Sequence, residues 1–203
     1  MLLHSLIVAD RDRSNGYQEV AADFLAARGR RPGGIGARTV EEWARALPAG
    51  AAVLDLGCGN GVPVTELLLA LGLQVYGVDA APAMVESFQS RLAGVPVQCA
   101  SVEESDFFGR TFDAVVAWGL VFLLAEDTQR RLLAKIAGAL RDGGFLLFTA
   151  PRQRCTWADA MTRRNSVSLG QAEYRSILES AGMLVEGTRV DEGENHYYLA
   201  RKV

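Results

Sequence analysis

Residues Val53 to Gly61 read Val-Leu-Asp-Leu-Gly-Cys-Gly-Asn-Gly, three alternate glycines behind an acid. Missing side chains let a ligand lie against the backbone, and the N–H groups of a following helix are available to it. A second acid, Asp79, closes the next apolar run, and a carboxylate at that point can accept both hydroxyls of a ribose. A dinucleotide fingerprint requires G-x-G-x-x-G, whose last position here is Val62. Asp55, two residues before Gly57, repels a pyrophosphate and attracts an ammonium group. The pattern favours a cationic nucleoside over NAD.

These residues need a scaffold, and the flanking sequence supplies one. Short continuous apolar runs at Ala51–Leu56, Leu73–Val78, Val95–Cys99, Phe112–Ala117 and Phe145–Thr149 read as strands buried on both faces. Helical patterns separate them: one with Pro63 in its first turn, Pro82–Leu92, and one capped by Asp127 that buries Leu132, Leu133, Ile136 and Leu140. Alternation of this kind implies right-handed crossovers and a parallel sheet. Met183–Val190 and His196–Lys202 flank the short turn Asp191–Asn195, so they form a hairpin that adds one antiparallel strand. The expected fold is α/β: a Rossmann-like three-layer sandwich on a mostly parallel seven-stranded sheet. Upstream, Asn15 with Gln18 and Thr39 with Glu42 suggest capping boxes for two helices, the first burying Tyr17, Val20, Ala21, Phe24, Leu25 and Arg28 on one face. Ser168 with Gln171 suggests a third cap, while residues 151–167 read as an irregular polar lid. One domain is expected over 1–203, with covering helices (1–48), a ligand-binding core (49–150), the lid (151–167), and a last helix and hairpin (168–203).

Other groups have both a chemical and a structural reading. A strand antiparallel to the rest begins at the ligand-binding end of the sheet, which brings His196 to the mouth of the site. There it can take a proton from a hydroxyl or thiol, or pack as a rim histidine against the lid. Trp118 ends the fourth strand and lines a substrate pocket or the core, and Tyr17 covers the site or fills its own helix face. Cys155 and Trp157 in the lid are candidates for substrate contact. Arg152, Arg154, Arg163 and Arg164 make the lid basic, which suits an anionic substrate or a solvated loop.

Composition narrows the classes. At 49% apolar and 22% charged, the chain is neither disordered nor fibrous. Its net charge of -3 and lack of a basic run argue against nucleic acid. No apolar stretch approaches the roughly 20 residues of a spanning helix, and Met1–Ala9 lacks the basic lead-in of a signal peptide, so no membrane partner is expected. Cys58, Cys99 and Cys155 are too scattered for a disulfide framework, which points to a reducing cytoplasm. His4 and His196 stand at opposite ends, so no metal site is expected.

Val53–Gly61, Val75–Asp79, Phe112–Trp118 and Leu140–Gly144 together resemble the successive motifs of class I S-adenosylmethionine-dependent methyltransferases, from about Val40 onward. The resemblance implies S-adenosyl-L-methionine as cofactor and S-adenosyl-L-homocysteine as product. It implies that Gly57, Gly59 and Gly61 pass against the methionine part, with Asp55 near its amino group. Asp79 and Ala80 would hold the ribose, Met84 would flank the adenine, and Ser101, Val102 and Glu103 would clasp it. Arg38 corresponds to an arginine that some relatives place on the cofactor carboxylate. The Asn/Asp-Pro-Pro-aromatic signature of nucleic-acid and amide N-methylating relatives is absent at Trp118. The implied activity is methyl transfer to O, N or S of a small molecule by a monomer or homodimer, with His196 as candidate base. The alternatives are methylation of protein or RNA, and a non-catalytic cofactor-binding module.

Overall fold

The computed structural model describes residues 12–27 and 34–203. Met1–Ala9, His4, Arg28 and the start of the Arg30–Gly36 break lie outside the described residues. Among those described, seven strands form one sheet in the order β3-β2-β1-β4-β5-β9-β8. They are β1 (Ala52–Leu56), β2 (Gln74–Asp79), β3 (Val97–Cys99), β4 (Phe112–Ala117), β5 (Leu140–Thr149), β8 (Met183–Val190) and β9 (His196–Lys202). The first five are parallel, and β9 runs antiparallel to both β5 and β8. The chain order reverses between β1 and β4, so ligands are expected beyond the carboxyl ends of that pair.

Helices α2 (Ala37–Ala44) and α3 (Val64–Ala70) contribute to one apolar layer, and α5 (Glu126–Ala139) and α6 (Gln171–Ser180) to the other. Strand residues alternate between these layers with period two. Val53 faces Val40, Trp43 and Leu68, whereas Leu54 and Leu56 face Leu133, Ile136 and Tyr174. Each such side chain, fully buried, contributes about 1.5–3 kcal/mol. Helix α4 (Pro82–Arg91) buries Met84, Val85 and Phe88 beside β2. Among the described residues no helix is long and apolar enough to cross a membrane.

Several expected boundaries move, each for a local reason. The lid is not irregular: β6 (Cys155–Ala158) and β7 (Asn165–Ser168) form an antiparallel hairpin packed on the turn Val121–Leu123. Asn15 does not cap a helix, because its φ of 52° lies in the left-handed region rather than the extended one a cap needs. Ser14 Oγ accepts from Gln18 N instead, and regular helix α1 spans Ala21–Ala27. Helix α2 starts at Ala37, before Thr39, because Gly36 (φ 84°) turns the chain there. Helix α5 is entered from Ala125, leaving Asp127 in the first turn paired with Arg130. Helix α6 is entered from Gly170, and Ser168 Oγ accepts from Gly170 N one step earlier.

Candidate active site

The glycine turn is tied across the sheet, since Gly57 N and Cys58 N both donate to the carbonyl of Val78. Its glycines have different tasks. A Cβ on Gly61 (φ 86°) would lie 2.5 Å from Leu92 Cδ1, so that glycine admits the packing of α4. A Cβ on Gly59 would meet nothing within 4 Å, because that side of the turn opens into a cavity of about 580 Å³.

Two carboxylates sit under this turn. Asp79 at the end of β2 accepts from Gly59 N on one oxygen and Ala81 N on the other, both at 2.8 Å. Burial raises its pKa, and those two donors oppose the rise. Asp55, 2% exposed, accepts from Thr65 Oγ1 at 2.6 Å. Burial pushes Asp55 up to about 7, the Thr65 hydroxyl opposes, and the nearby Asp79 charge adds to the rise. A bound cation would relieve both acids. Cys58 lies between them with its thiol pKa pushed well up by burial, so it is no nucleophile.

The cavity continues along one wall past Ala80, Met84, Val102 and Glu103. Lys135 on α5 fixes that wall from outside by donating to the carbonyls of Val102, Glu103 and Ser105. The opposite end is lined by Trp118, Thr149, Phe122 and Leu123. Tyr17 and Asn15 cover the cavity from the N-terminal turn, with Tyr17 packed against the Ala81–Met84 cluster, while Asp159 and Met161 come from the hairpin tip and Asn195 from the β8–β9 turn. Trp118 Nε1 donates to Tyr197 Oη at 2.9 Å, and Tyr197 donates to the buried Asp191 at 2.8 Å. Asp191 also accepts from Gly193 N, Asn195 N and the Asn195 side chain, which shapes the turn that presents Asn195.

The cavity therefore brings together Asp55, Gly57, Gly59, Asp79, Ala80, Met84, Val102, Glu103, Tyr17 and Trp118. Gly61 supports the turn from behind. Five expected residues lie elsewhere. Ser101 Oγ caps its own loop by accepting from Glu104 N. Arg38 is exposed on α2, 4.0 Å from Glu42. Cys155 is exposed, and Trp157 packs on Phe122 with ring centroids 5.5 Å apart. His196 shares the face of Tyr198, its ring 4.8 Å from that ring, while Asn195 on the other face lines the cavity. The strand does enter at the mouth of the site, but its phase turns the imidazole away. Burial and the nearby Arg152 charge lower the His196 pKa. Half of the lid's basic residues are matched in charge among the described residues: Arg154 pairs with Glu126 and Glu173, and Arg164 with Asp12 and Glu19.

Asp159 had no place in the sequence reading, and Asn195 had none beyond entering with His196 at the mouth of the site. The signal for Asp159 was Asp-Ala-Met-Thr, an acid poised to accept from N–H groups two and three residues on. It does so, accepting from Met161 N and Thr162 N. Asn15 was noticed for the wrong role. Its side-chain nitrogen is buried with no partner among the described residues.

Residues 53–144 match the family described as "Methyltransferase domain". The chain is 29% identical over 145 residues to aklanonic acid methyltransferase DauC of Streptomyces sp. (strain C5). It is 33% identical over 148 residues to a ubiquinone biosynthesis O-methyltransferase of Xanthomonas axonopodis pv. citri (strain 306). Both alignments cover 68% of this chain and 61% of the relative, so the chain spans less than two thirds of either. Among solved structures, 1,6-didemethyltoxoflavin-N1-methyltransferase of Burkholderia thailandensis superposes with a TM-score of 0.73 at 21% identity, covering 98% of this chain and 90% of that one. At that identity the likeness establishes the fold.

Proposed function

We propose that this chain, which carries a domain of the class I S-adenosylmethionine-dependent methyltransferase superfamily, moves a methyl group from S-adenosyl-L-methionine to an O, N or S atom of a small molecule. The observation that carries the reading is the pair of the buried Asp55 and the half-buried Asp79 under an open glycine turn, both lining one cavity. When bound, S-adenosylmethionine supplies a methyl on a sulfonium, already activated for displacement.

The residues fit that group. Asp55 offers a buried negative charge to the ammonium, and the Gly59 side of the turn leaves room for the methionine chain. Asp79 keeps lone pairs for the ribose hydroxyls beyond those taken by Gly59 N and Ala81 N. Met84 and Val102 give the adenine apolar faces. The unpaired Asn15 nitrogen is a donor for a ligand oxygen. Trp118, Phe122 and Leu123 then enclose the acceptor and exclude water, and holding two reactants in line is the main requirement for this displacement.

A small-molecule acceptor is supported by the enclosure of the cavity and by the names of the two curated relatives. The net charge of -3 and the paired lid arginines disfavour nucleic acid. Calorimetry with S-adenosylhomocysteine tests the reading. Micromolar binding that Asp79→Ala weakens is expected, and no binding by the wild type would overturn it. Methyl-labelled cofactor incubated with a cell extract then separates the substrate classes, since label in macromolecules would exclude a small-molecule acceptor.

A further inference from the structure

The cavity's charges do not balance, and the imbalance sits at the acceptor end. Among the described residues its ionisable walls are Asp55, Asp79, Glu103, Asp159 and Arg13, with the phenol of Tyr17 and the thiol of Cys58. Arg13 lies 3.9 Å from Glu103, and Asp55 and Asp79 stand under the glycine turn. Asp159 remains, 7% exposed, with no ion-pair partner among the described residues. The lid arginines do not line the cavity.

The two oxygens of Asp159 have separate tasks. Oδ1 accepts from Met161 N, Thr162 N and Thr162 Oγ1, which builds the hairpin tip. Among the described residues Oδ2 accepts only from Tyr17 Oη, at 3.4 Å, a long contact that leaves it lone pairs to spare. The cavity that Asp159 lines also carries the apolar side chains of Phe24, Phe122, Leu123 and Met161, and in such a setting a charge is strongly felt.

We propose that Asp159 is the acceptor-binding carboxylate, and that the acceptor is an apolar molecule carrying a protonated amine rather than a carboxylate or phosphate. The proposal rests on the methyl-transfer reading and narrows its acceptor atom to nitrogen. Asp159 Oδ2 pairs with the ammonium and takes one of its protons. The freed lone pair forms the N–C bond as the S–CH3 bond breaks with its electrons left on sulfur. The product leaves as a secondary ammonium, and the proton on Asp159 passes to solvent.

The test uses benzylamine, benzyl alcohol and benzoate as probes on the S-adenosylhomocysteine complex, with Asp159→Asn as the variant. Asparagine keeps an Oδ1 for Met161 N and Thr162 N, so the hairpin tip survives while the charged oxygen is lost. The wild type is expected to bind benzylamine about tenfold more tightly than benzoate, with benzyl alcohol between them. The variant should lose that order while binding S-adenosylhomocysteine as the wild type does. Benzoate binding as tightly as benzylamine, an unchanged order in Asp159→Asn, or no benzylamine binding would each overturn the proposal while leaving methyl transfer intact. Failure of the wild type to bind S-adenosylhomocysteine would instead bring down both.

Discussion

At the glycine-turn end of the cavity, the polar network is local. Thr65 reaches Asp55 across 10 residues, and Gly59 reaches Asp79 across 20. At the other end Tyr17 reaches Asp159 across 142, Arg164 reaches Glu19 across 145, and Gly36 reaches Glu192 across 156. The first end is shaped by one β-α-β stretch whose strands are in the core. The second is assembled only when the N-terminal turn, the hairpin and the β8–β9 turn meet, and partly exposed ion pairs help join them. Such joints are individually worth about 0–1 kcal/mol, so the acceptor end is the part of the cavity able to open locally.

If the division is real, variants at one end should leave the other unmoved. The largest effect is expected from Asp79→Ala, which removes the proposed ribose acceptor and strips Gly59 N and Ala81 N of theirs. S-adenosylhomocysteine affinity should fall about 100-fold or more by calorimetry. Equal loss from Asp159→Asn would erase the distinction. Next is Gly36→Ala, whose Cβ would lie 2.1 Å from Tyr197 Oη on a backbone with φ of 84°. It should cost about 2–3 kcal/mol in urea unfolding, through strain and the displaced Tyr197. Those folded molecules that remain should still bind S-adenosylhomocysteine within about threefold of wild type, because the Trp118–Tyr197–Asp191 chain belongs to the far end.

The pH dependence sharpens the same contrast. Burial raises Asp55 from 3.8 unfolded to about 7 folded, so the ligand-free protein holds that proton more tightly than the unfolded chain. From this group alone, stability is greatest below the unfolded value, falls as pH rises between the two, and bears the full penalty above the folded value. A ligand ammonium favours the ionised carboxylate. S-adenosylhomocysteine affinity should therefore rise about tenfold between pH about 6 and about 8, and Asp55→Asn should flatten the rise. The smallest effect belongs to Arg164→Ala. Losing the contacts to Asp12 and Glu19 should cost under about 1 kcal/mol, yet speed amide exchange across residues 12–20 with no change around the glycine turn.

The legible part of the molecule follows the same line. Ala51–Leu54 and Val115–Ala117 are apolar without interruption because both faces are covered, and Gly57, Gly59 and Asp79 mark a candidate ligand site by residue type alone. Met84 and Val102 fell into place because they stand at fixed steps from those strands. His196 did not, because a strand's direction can be read from its connections while its phase depends on which layer lies over each face. Asn15 and Gln18 have the residue types of a capping box. The left-handed backbone at Asn15 instead sends one to the cavity and lets the Gln18 side chain receive Ala83 N on α4. The lid hairpin was missed because Cys155–Ala158 and Asn165–Ser168 are short and neither is the continuous apolar run of a core strand, and pairing with each other is what makes them strands. Asp159 owes its position to that pairing and to a tyrosine 142 residues away, which no local pattern announces.

The indole of Trp118 has an optical consequence. The chain's three tryptophans occupy three settings: Trp43 in the core beside Val40 and Leu68, Trp157 against Phe122 on the hairpin, and Trp118 in the cavity wall with its N–H held by Tyr197. An indole fixed in orientation at such a wall responds to a new neighbour through its emission wavelength and quenching rather than through its own motion. Replacing Trp43 and Trp157 by phenylalanine would leave one emitter at the far end of the cavity, able to time the arrival of a ligand there in a stopped-flow trace.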